Sequence, residues 1–519
     1  MIKKGTLLFL FASQLVISYA QQAGDLDLDF GVDGLVTTPI GGNTDFCDRL
    51  FVLDNNQILA IGYTVNTDEA DFAMVKYQAD GSIDPSFGDG GKVVTDWGGA
   101  DYATGIIPLD NGDLLVSGRT DAGGDDDFAL VKYDADGNLD TSFGTDGLVT
   151  TDFDGDTDAS FDIIRQGDGV ILVGRSRTTS GVYDFSMAKY DFNGDLDPSF
   201  GDNGKVISHL GTANDRANRI DFQSDGKIVL SGIIYNGSNL DFAIARYQPD
   251  GSIDLSFGDN GKVFVDFFDD QDVPNDMVVQ ADDKILVTGY AIEDGEFQFA
   301  TIRLNEDGTL DNTFGASGKL ITYFESPYTG GISGAIALQA DGKILIGGEL
   351  HQDSNNDFGL VRLNEDGSFD LSFGDGGKVM TDFAGDYDEM RSIIIQSDQN
   401  ILAGGYATII GSRDMALARY LSGLSVGVKT TPLLDNLLLF PNPVTGSAIV
   451  EFNLNEASEI QITLVDDKGR TINKWPKENY TRAGKHNLLL SFDFDLPPGH
   501  YFLQLSNGKE ENTLLMIKQ

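Results

Sequence analysis

A phenylalanine in a Ser-Phe-Gly triplet, or a near match, returns along the chain at Phe30, Phe87, Phe143, Phe200, Phe257, Phe314 and Phe373, at spacings of 57, 56, 57, 57, 57 and 59 residues. A second marker, Asp-Phe-Ala or a variant, begins at Asp71, Asp127, Asp184, Asp241, Gln298, Asp357 and Asp414 with the same period. Two markers in step mean tandem copies of one structural unit. Such units bury their apolar faces against their neighbours, not alone.

The unit from Phe143 to Phe200 reads as four short strands. Leu148–Phe153, Phe161–Ile164, Val170–Gly174 and Asp184–Tyr190 are rich in β-formers, and Asp, Asn and Gly fill the joints between them. No helical period is sustained. Ile228-Val229-Leu230 and Ile344-Leu345-Ile346 are apolar on consecutive positions, so both faces of those strands are buried. A single open antiparallel sheet leaves one face wet, whereas radially stacked sheets cover both. The chain near Gly24–Gly31 matches the second half of an interblade passage such as Gly81–Gly88, and the last repeat stops at Tyr420, where that passage begins. A linear array needs atypical end caps, and none is visible. The expected fold is all-β: a seven-bladed β-propeller of four-stranded blades over residues 21–420.

Asp250-Gly251-Ser252-Ile253-Asp254-Leu255-Ser256-Phe257-Gly258-Asp259-Asn260-Gly261-Lys262-Val263 and its equivalents resemble the delta-60 repeat of bacterial surface proteins, over residues 24–420. The resemblance implies a propeller and carries no assigned reaction.

Lys3 and Lys4, the apolar stretch Thr6–Ile17 and Ser18-Tyr19-Ala20 form a secretory signal pattern, with cleavage expected between Ala20 and Gln21. No cysteine follows to take a lipid. No other stretch has the length of a membrane span. The 82 acidic against 35 basic residues give a net charge of −47. That charge repels nucleic acid and anionic membranes and suits solubility, divalent cations or basic partners. The single cysteine, Cys47, excludes an intrachain disulfide and reads as a small buried apolar residue. A monomer is expected.

Residues 421–435 read as a linker. Residues 436–519 read as a small β-sandwich of alternating strands, among them Ala448–Phe452, Glu459–Val465 and Tyr501–Leu505. Pro441-Asn442-Pro443, the Asp467-Lys468-Gly469-Arg470 turn, Pro498-Gly499-His500-Tyr501 and the basic terminal strand resemble the C-terminal sorting domain of the type IX secretion system of Bacteroidota. The resemblance implies a partnership with that machinery, passage across the outer membrane, and release or surface attachment. An accessory binding domain is the alternative.

No phosphate loop or zinc motif is present. His209 and His351 each occur in one repeat and read as surface residues. The recurrent Phe reads as a packing anchor between blades. No cofactor is implied beyond calcium, for which tight Asp-rich loops are suited. The calcium candidates are Asp134, Asp136 and Asp140 in one loop, and Asp152, Asp154 and Asp156 in another. The alternative is that such residues, with those of the Asp254 type, cap their own turns.

The segments that vary between repeats are Thr64–Ala70, Thr120–Asp126, Arg175–Tyr183, Ile233–Leu240, Ala291–Phe297, Glu349–Asn356 and Ala407–Arg413. Loops on a rigid scaffold carry specificity. The expected function is therefore a secreted or surface binding module for a glycan, protein or mineral. The alternatives are an extracellular polysaccharide hydrolase or lyase, which needs carboxylates at the axis in two or three blades only, and a passive spacer.

Overall fold

A computed structural model describes residues 21–424 except 42–43, 67–68, 123, 154–156, 178–180, 212, 353–354 and 384. It also describes residues 434–518 except 441–443, 445, 455–457, 467–469, 481, 483, 493–495, 498 and 507–510. The signal pattern, Pro441–Pro443, Asp467–Gly469, Asp154 and Asp156 lie outside the described residues. The chain divides into two compact units, Met1–Leu424 and Ser425–Gln519.

The first unit is a seven-bladed β-propeller, and each blade is a four-stranded antiparallel meander. Blade 1 runs from axis to rim through Thr44–Val52, Ile58–Asn66, Glu69–Tyr77 and Lys92–Thr95. Blades 2 to 6 repeat this order. Blade 7 takes Asp388–Ile395, Ile401–Ile409 and Ser412–Tyr420 from the end of the repeat region, and its outer strand is Leu35–Thr38 from the start. The pairing is antiparallel, from Leu35 opposite Ala418 to Thr38 opposite Met415. The ring is thus closed by hydrogen bonds between the two ends of the repeat region.

The strands outrun their apolar cores. Phe161–Ile164 is the centre of Asp158–Gln166, and Leu148–Thr151 is the outer strand of the preceding blade, not the first of its own. The sequence unit and the blade are offset by one strand. Second and third strands are buried on both faces: Ile228, Val229 and Leu230 are all at 0% exposure.

One repeated cluster ties neighbouring blades together. In blade 5, Arg303 Nε donates to Asp311 Oδ2 at 2.8 Å, and its guanidinium lies 4.8 Å above the Phe314 ring. Arg303 also donates to the carbonyl of Glu365 in the next unit. Asp311 Oδ1 accepts from the amide (2.9 Å) and hydroxyl (2.7 Å) of Thr313. Burial works against the Asp311 carboxylate, but these donors and the guanidinium hold it at about 2. Equivalent pairs occur in every blade, with lysine in blades 1 to 3 (Lys76–Asp84, Lys132–Asp140, Lys189–Asp197) and arginine in the others. The phenylalanine of each triplet is buried, and it reaches the turn of the next unit. Gly81 (φ +84°) sits so close to Phe30 that a Cβ would lie 2.8 Å from the ring, so only glycine fits there.

The second unit is a β-sandwich. Leu434–Phe440, Ser447–Leu454 and Gly484–Ser491 form one sheet. Ser458–Asp466, Thr471–Lys474, Gly499–Ser506 and Glu511–Lys518 form the other, with Glu478–Tyr480 also paired to Ser458–Asp466. Val450, Phe452, Ile462, Leu464, Leu503 and Leu505 fill the space between them.

Breaking one blade clamp leaves a buried carboxylate without its cation. Arg303→Ala is expected to cost about 3–5 kcal/mol in denaturant unfolding. Arg303→Lys is expected to recover much of that, because lysine fills the same place in blades 1 to 3. Phe257→Ala is expected to cost a similar ~3–5 kcal/mol by leaving a cavity between blades.

Candidate functional site

The inner strands meet at the ring axis. Each has a one-residue bulge at the same level, which re-aims the side chains beside it. The residues just past the bulge, in blade order, are Arg49, Gly105, Asp162, Arg219, Asp276, Ala335 and Ser392. The four charged ones converge. Arg49 lies 3.7 Å from both Asp162 and Asp276, and Arg219 Nε donates to Asp276 Oδ1 at 3.0 Å. The N–H of Ile336 donates to Asp276 Oδ2 at 2.9 Å. Two guanidiniums against two carboxylates make a neutral plug, with a cavity of about 280 Å³ on either side.

One of these cavities opens into a mouth where the inner strands begin. Phe46 stacks on Tyr63 (4.5 Å, 29°) and meets Tyr406 edge-on (5.0 Å), and Tyr63 meets Tyr102 edge-on (4.8 Å). Arg391 and Arg413 lie over both Phe46 and Tyr406, and Arg119 lies 4.2 Å above Tyr102. Across the mouth, Arg175 covers Tyr183 at 4.2 Å, and Arg175 and Arg216 flank the Phe161 ring at 5.9 and 5.5 Å. Tyr290, Phe297 and His351 continue the aromatic rim.

The arginines differ in their partners. Arg391 pairs with Asp48 and Glu389, and Arg119 with Asp126 at 2.7 Å. Arg175 and Arg216 make no ion pair among the described residues, and the buried Nε of each has no hydrogen-bond partner. Burial lowers the pKa of both guanidiniums. Nearby arginines add to this, Arg119 for Arg175 and Arg175 for Arg216. Two half-buried cations beside one aromatic ring, without an ion pair of their own among the described residues, form a site suited to an anion.

A larger groove, about 960 Å³, opens on the opposite face between blades 3 and 4. Its cations are already paired, Arg165 with Asp110 at 2.7 Å and Lys189 with Asp197 at 3.1 Å. It offers less chemistry than the mouth.

The calcium candidates separate. Asp134 Oδ1 accepts from the N–H groups of Asp136 and Asn138, and Asp140 Oδ1 from the amide and hydroxyl of Ser142. Asp136 is exposed. These contacts are turn caps, and they do not bring the three carboxylates together. Asp152 instead lies within 4.8 Å of Asp127 and Asp158, which come from other segments. His209 is at the surface, with Nδ1 2.6 Å from Asp184, but His351 is not: its side chain is 20% exposed and faces Glu349 on the rim. Cys47 is fully buried, and desolvation pushes its thiol far above the usual range.

Sequence reasoning found part of the mouth. Arg175, Tyr183, Phe297, Glu349, His351 and Arg413 fall in the variable segments. Phe46, Tyr102, Phe161, Arg216, Glu389 and Arg391 come from the inner strands and were missed. The missed signal is a column read across repeats at the bulge, where residue type changes from blade to blade.

Six segments, 53–87, 109–143, 166–200, 223–257, 280–314 and 339–373, match the family described as "Domain of unknown function (DUF5122) beta-propeller". Residues 438–519 match the "Secretion system C-terminal sorting domain". Comparison with curated proteins gives no match. Among solved structures, PorZ, a surface component of the type IX secretion system of Porphyromonas gingivalis, is 10% identical (TM-score 0.25, 91% of this chain, 81% of that one). A thermostable family-43 glycoside hydrolase is 11% identical (TM-score 0.30, 52% and 92%). The polysaccharide lyase Uly1 is 10% identical (TM-score 0.27, 86% and 90%). At such TM-scores these likenesses carry no argument. The family model matches six repeats where the ring has seven blades, because the seventh unit is split: its first part precedes Tyr420 and its last part is Asp27–Phe30. The sorting domain marks the protein for export, to the outer cell surface or the medium. Six segments of the chain thus carry DUF5122 β-propeller repeats, and residues 438–519 carry a type IX secretion sorting domain.

Proposed function

We propose that the propeller is a binding module displayed outside the cell and that its axial mouth takes an acidic carbohydrate. The observation that supports this most is the Arg175–Arg216 pair, flanking Phe161 with both Nε atoms unpartnered. A uronate or sulfated sugar offers a charge that guanidiniums bind in a planar fork. It also offers an apolar C–H face that stacks on aromatic rings. The mouth has both features in one ring of side chains. The net charge of −47 repels an anion at long range. That repulsion is screened beyond about 8 Å in physiological salt, which leaves recognition to contacts inside the mouth.

Polysaccharide cleavage has one observation in its favour: Asp162 and Asp276 are axial carboxylates in only two of the seven blades. They line the cavity beyond the plug, while the mouth side presents Arg49 and Arg219 together with Asp48, Glu349 and Glu389, of which Asp48 and Glu389 are held by Arg391. Binding is the better supported reading.

Calorimetric titration of the mature chain with a soluble polyuronate and with a neutral glucan tests the proposal. The polyuronate is expected to bind and the glucan not to. Arg175→Ala and Arg216→Ala are each expected to weaken binding by about tenfold or more. Equal binding of the two polymers, or indifference to both substitutions, overturns it. Stability separates the two kinds of arginine. Arg219→Ala, which breaks the plug, is expected to cost about 3–5 kcal/mol. Arg175→Ala loses only cation–π contact, and about 0.5–1 kcal/mol is expected in the same denaturant assay.

A further inference from the structure

Away from the mouth, aspartates gather at the boundaries between blades. Between blades 4 and 5, Asp241 opens a third strand, Asp266 follows the outer strand, and Asp272 opens the next inner strand. One carboxylate oxygen of each lies within 4.8 Å of the others. The same arrangement joins Asp71, Asp96 and Asp101 between blades 1 and 2, and Asp127, Asp152 and Asp158 between blades 2 and 3.

Part of this has a structural cause. Asp272 Oδ2 accepts from the N–H of Phe267, and Asp101 Oδ2 from that of Trp97, so the residue opening each inner strand caps the loop before it. The cap leaves the other oxygen unexplained. Asp101, Asp158 and Asp272 are at 0% exposure, and Oδ1 of each lacks a partner at hydrogen-bond distance, with the hydroxyls of Thr120 and Ser176 the donors near Asp101 and Asp158 and none of that kind near Asp272. Asp241, at 6% exposure, is in the same state: Asn236 Nδ2 holds its Oδ2 at 2.8 Å, and its Oδ1 is unpartnered. The oxygens left for a further partner are therefore buried, and two of them share one cluster. The nearest lysine does not fill the role, since Lys319 Nζ donates to the Asp266 carbonyl at 2.6 Å.

The other boundaries act as internal comparisons. Between blades 6 and 7 the three aspartates recur, but Tyr328 and Gln352 donate to Asp357, and both oxygens of Asp388 are bonded. Between blades 3 and 4 a histidine replaces the middle aspartate, and His209 bonds Asp184 directly. Between blades 5 and 6 all three carboxylates are lost together, replaced by Gln298, Tyr323 and Gly331. Between blades 7 and 1, Pro39 stands at the middle position, and both oxygens of Asp45 are bonded, by the N–H of Ile40 and the hydroxyl of Thr64.

We propose that the boundaries between blades 1 and 2, 2 and 3, and 4 and 5 each bind a calcium-class divalent cation through three aspartates drawn from three segments. Two oxygens on one calcium at about 2.4 Å can be up to ~4.8 Å apart, and calcium fills its remaining positions with carbonyls and water. An all-oxygen set suits a hard cation.

Terbium luminescence on the chelator-treated full chain tests this. The sequence has two tryptophans, and Trp97 follows Asp96 and donates its amide to Asp101. Terbium in that site is expected to emit when tryptophan is excited, and calcium is expected to displace it. Asp96→Asn, at an exposed loop position, is expected to lower terbium affinity about tenfold or more with unchanged circular dichroism. Trp97→Phe is expected to remove the emission while leaving about three calcium ions per chain by equilibrium dialysis. No emission from the parent chain, emission unchanged in Asp96→Asn, or no calcium retained at millimolar concentration overturns the proposal.

Discussion

Four residues, Leu35–Thr38, hold the architecture together. Paired antiparallel with Met415–Ala418, they complete the last blade with a strand from the other end of the repeat region. Without them the third strand of blade 7 is a free edge, a row of unpaired amides and carbonyls open to further pairing. Closure also creates the axis. The Arg49–Asp162–Arg219–Asp276 plug draws on blades 1, 3, 4 and 5, and Arg391 of blade 7 reaches Asp48 of blade 1. No such convergence exists in an open array.

Around the ring the same solution is used seven times. A basic residue on the third strand, an aspartate in the following passage and a buried phenylalanine form one clamp, and its arginine versions also bond a carbonyl of the next unit. An acidic chain without disulfides thus fixes its blades with ion pairs, buried where the cation is arginine and partly exposed in blades 2 and 3.

Much of the fold was legible because repetition makes each position an average over seven trials. Period, strand number, the buried phenylalanine and the capping role of the Asp254 type all came from recurring residues. Strand ends were read short, since Asp158 and Gln166 look like turn residues when their ladder partners, Ser176 and Gly169, are unknown. The offset between unit and blade was invisible for a related reason: Leu148–Thr151 pairs backward with Phe128–Val131, and local sequence does not say which neighbour a strand joins.

The site was harder to read, because function lies where the repeat is broken. Phe46, Tyr102, Phe161 and Arg216 are about one repeat apart and become neighbours only at the axis. The ion candidates divide along the same line. Carboxylates close in sequence, Asp134 and Asp140, cap their own turns, while those that converge in space, Asp127, Asp152 and Asp158, come from three segments. Hydrogen exchange of the Leu35–Thr38 amides tests the closed ring most directly. The account predicts protection equal to that of Met415–Ala418, released only by global unfolding. Exchange at the rate of a free tail would contradict it.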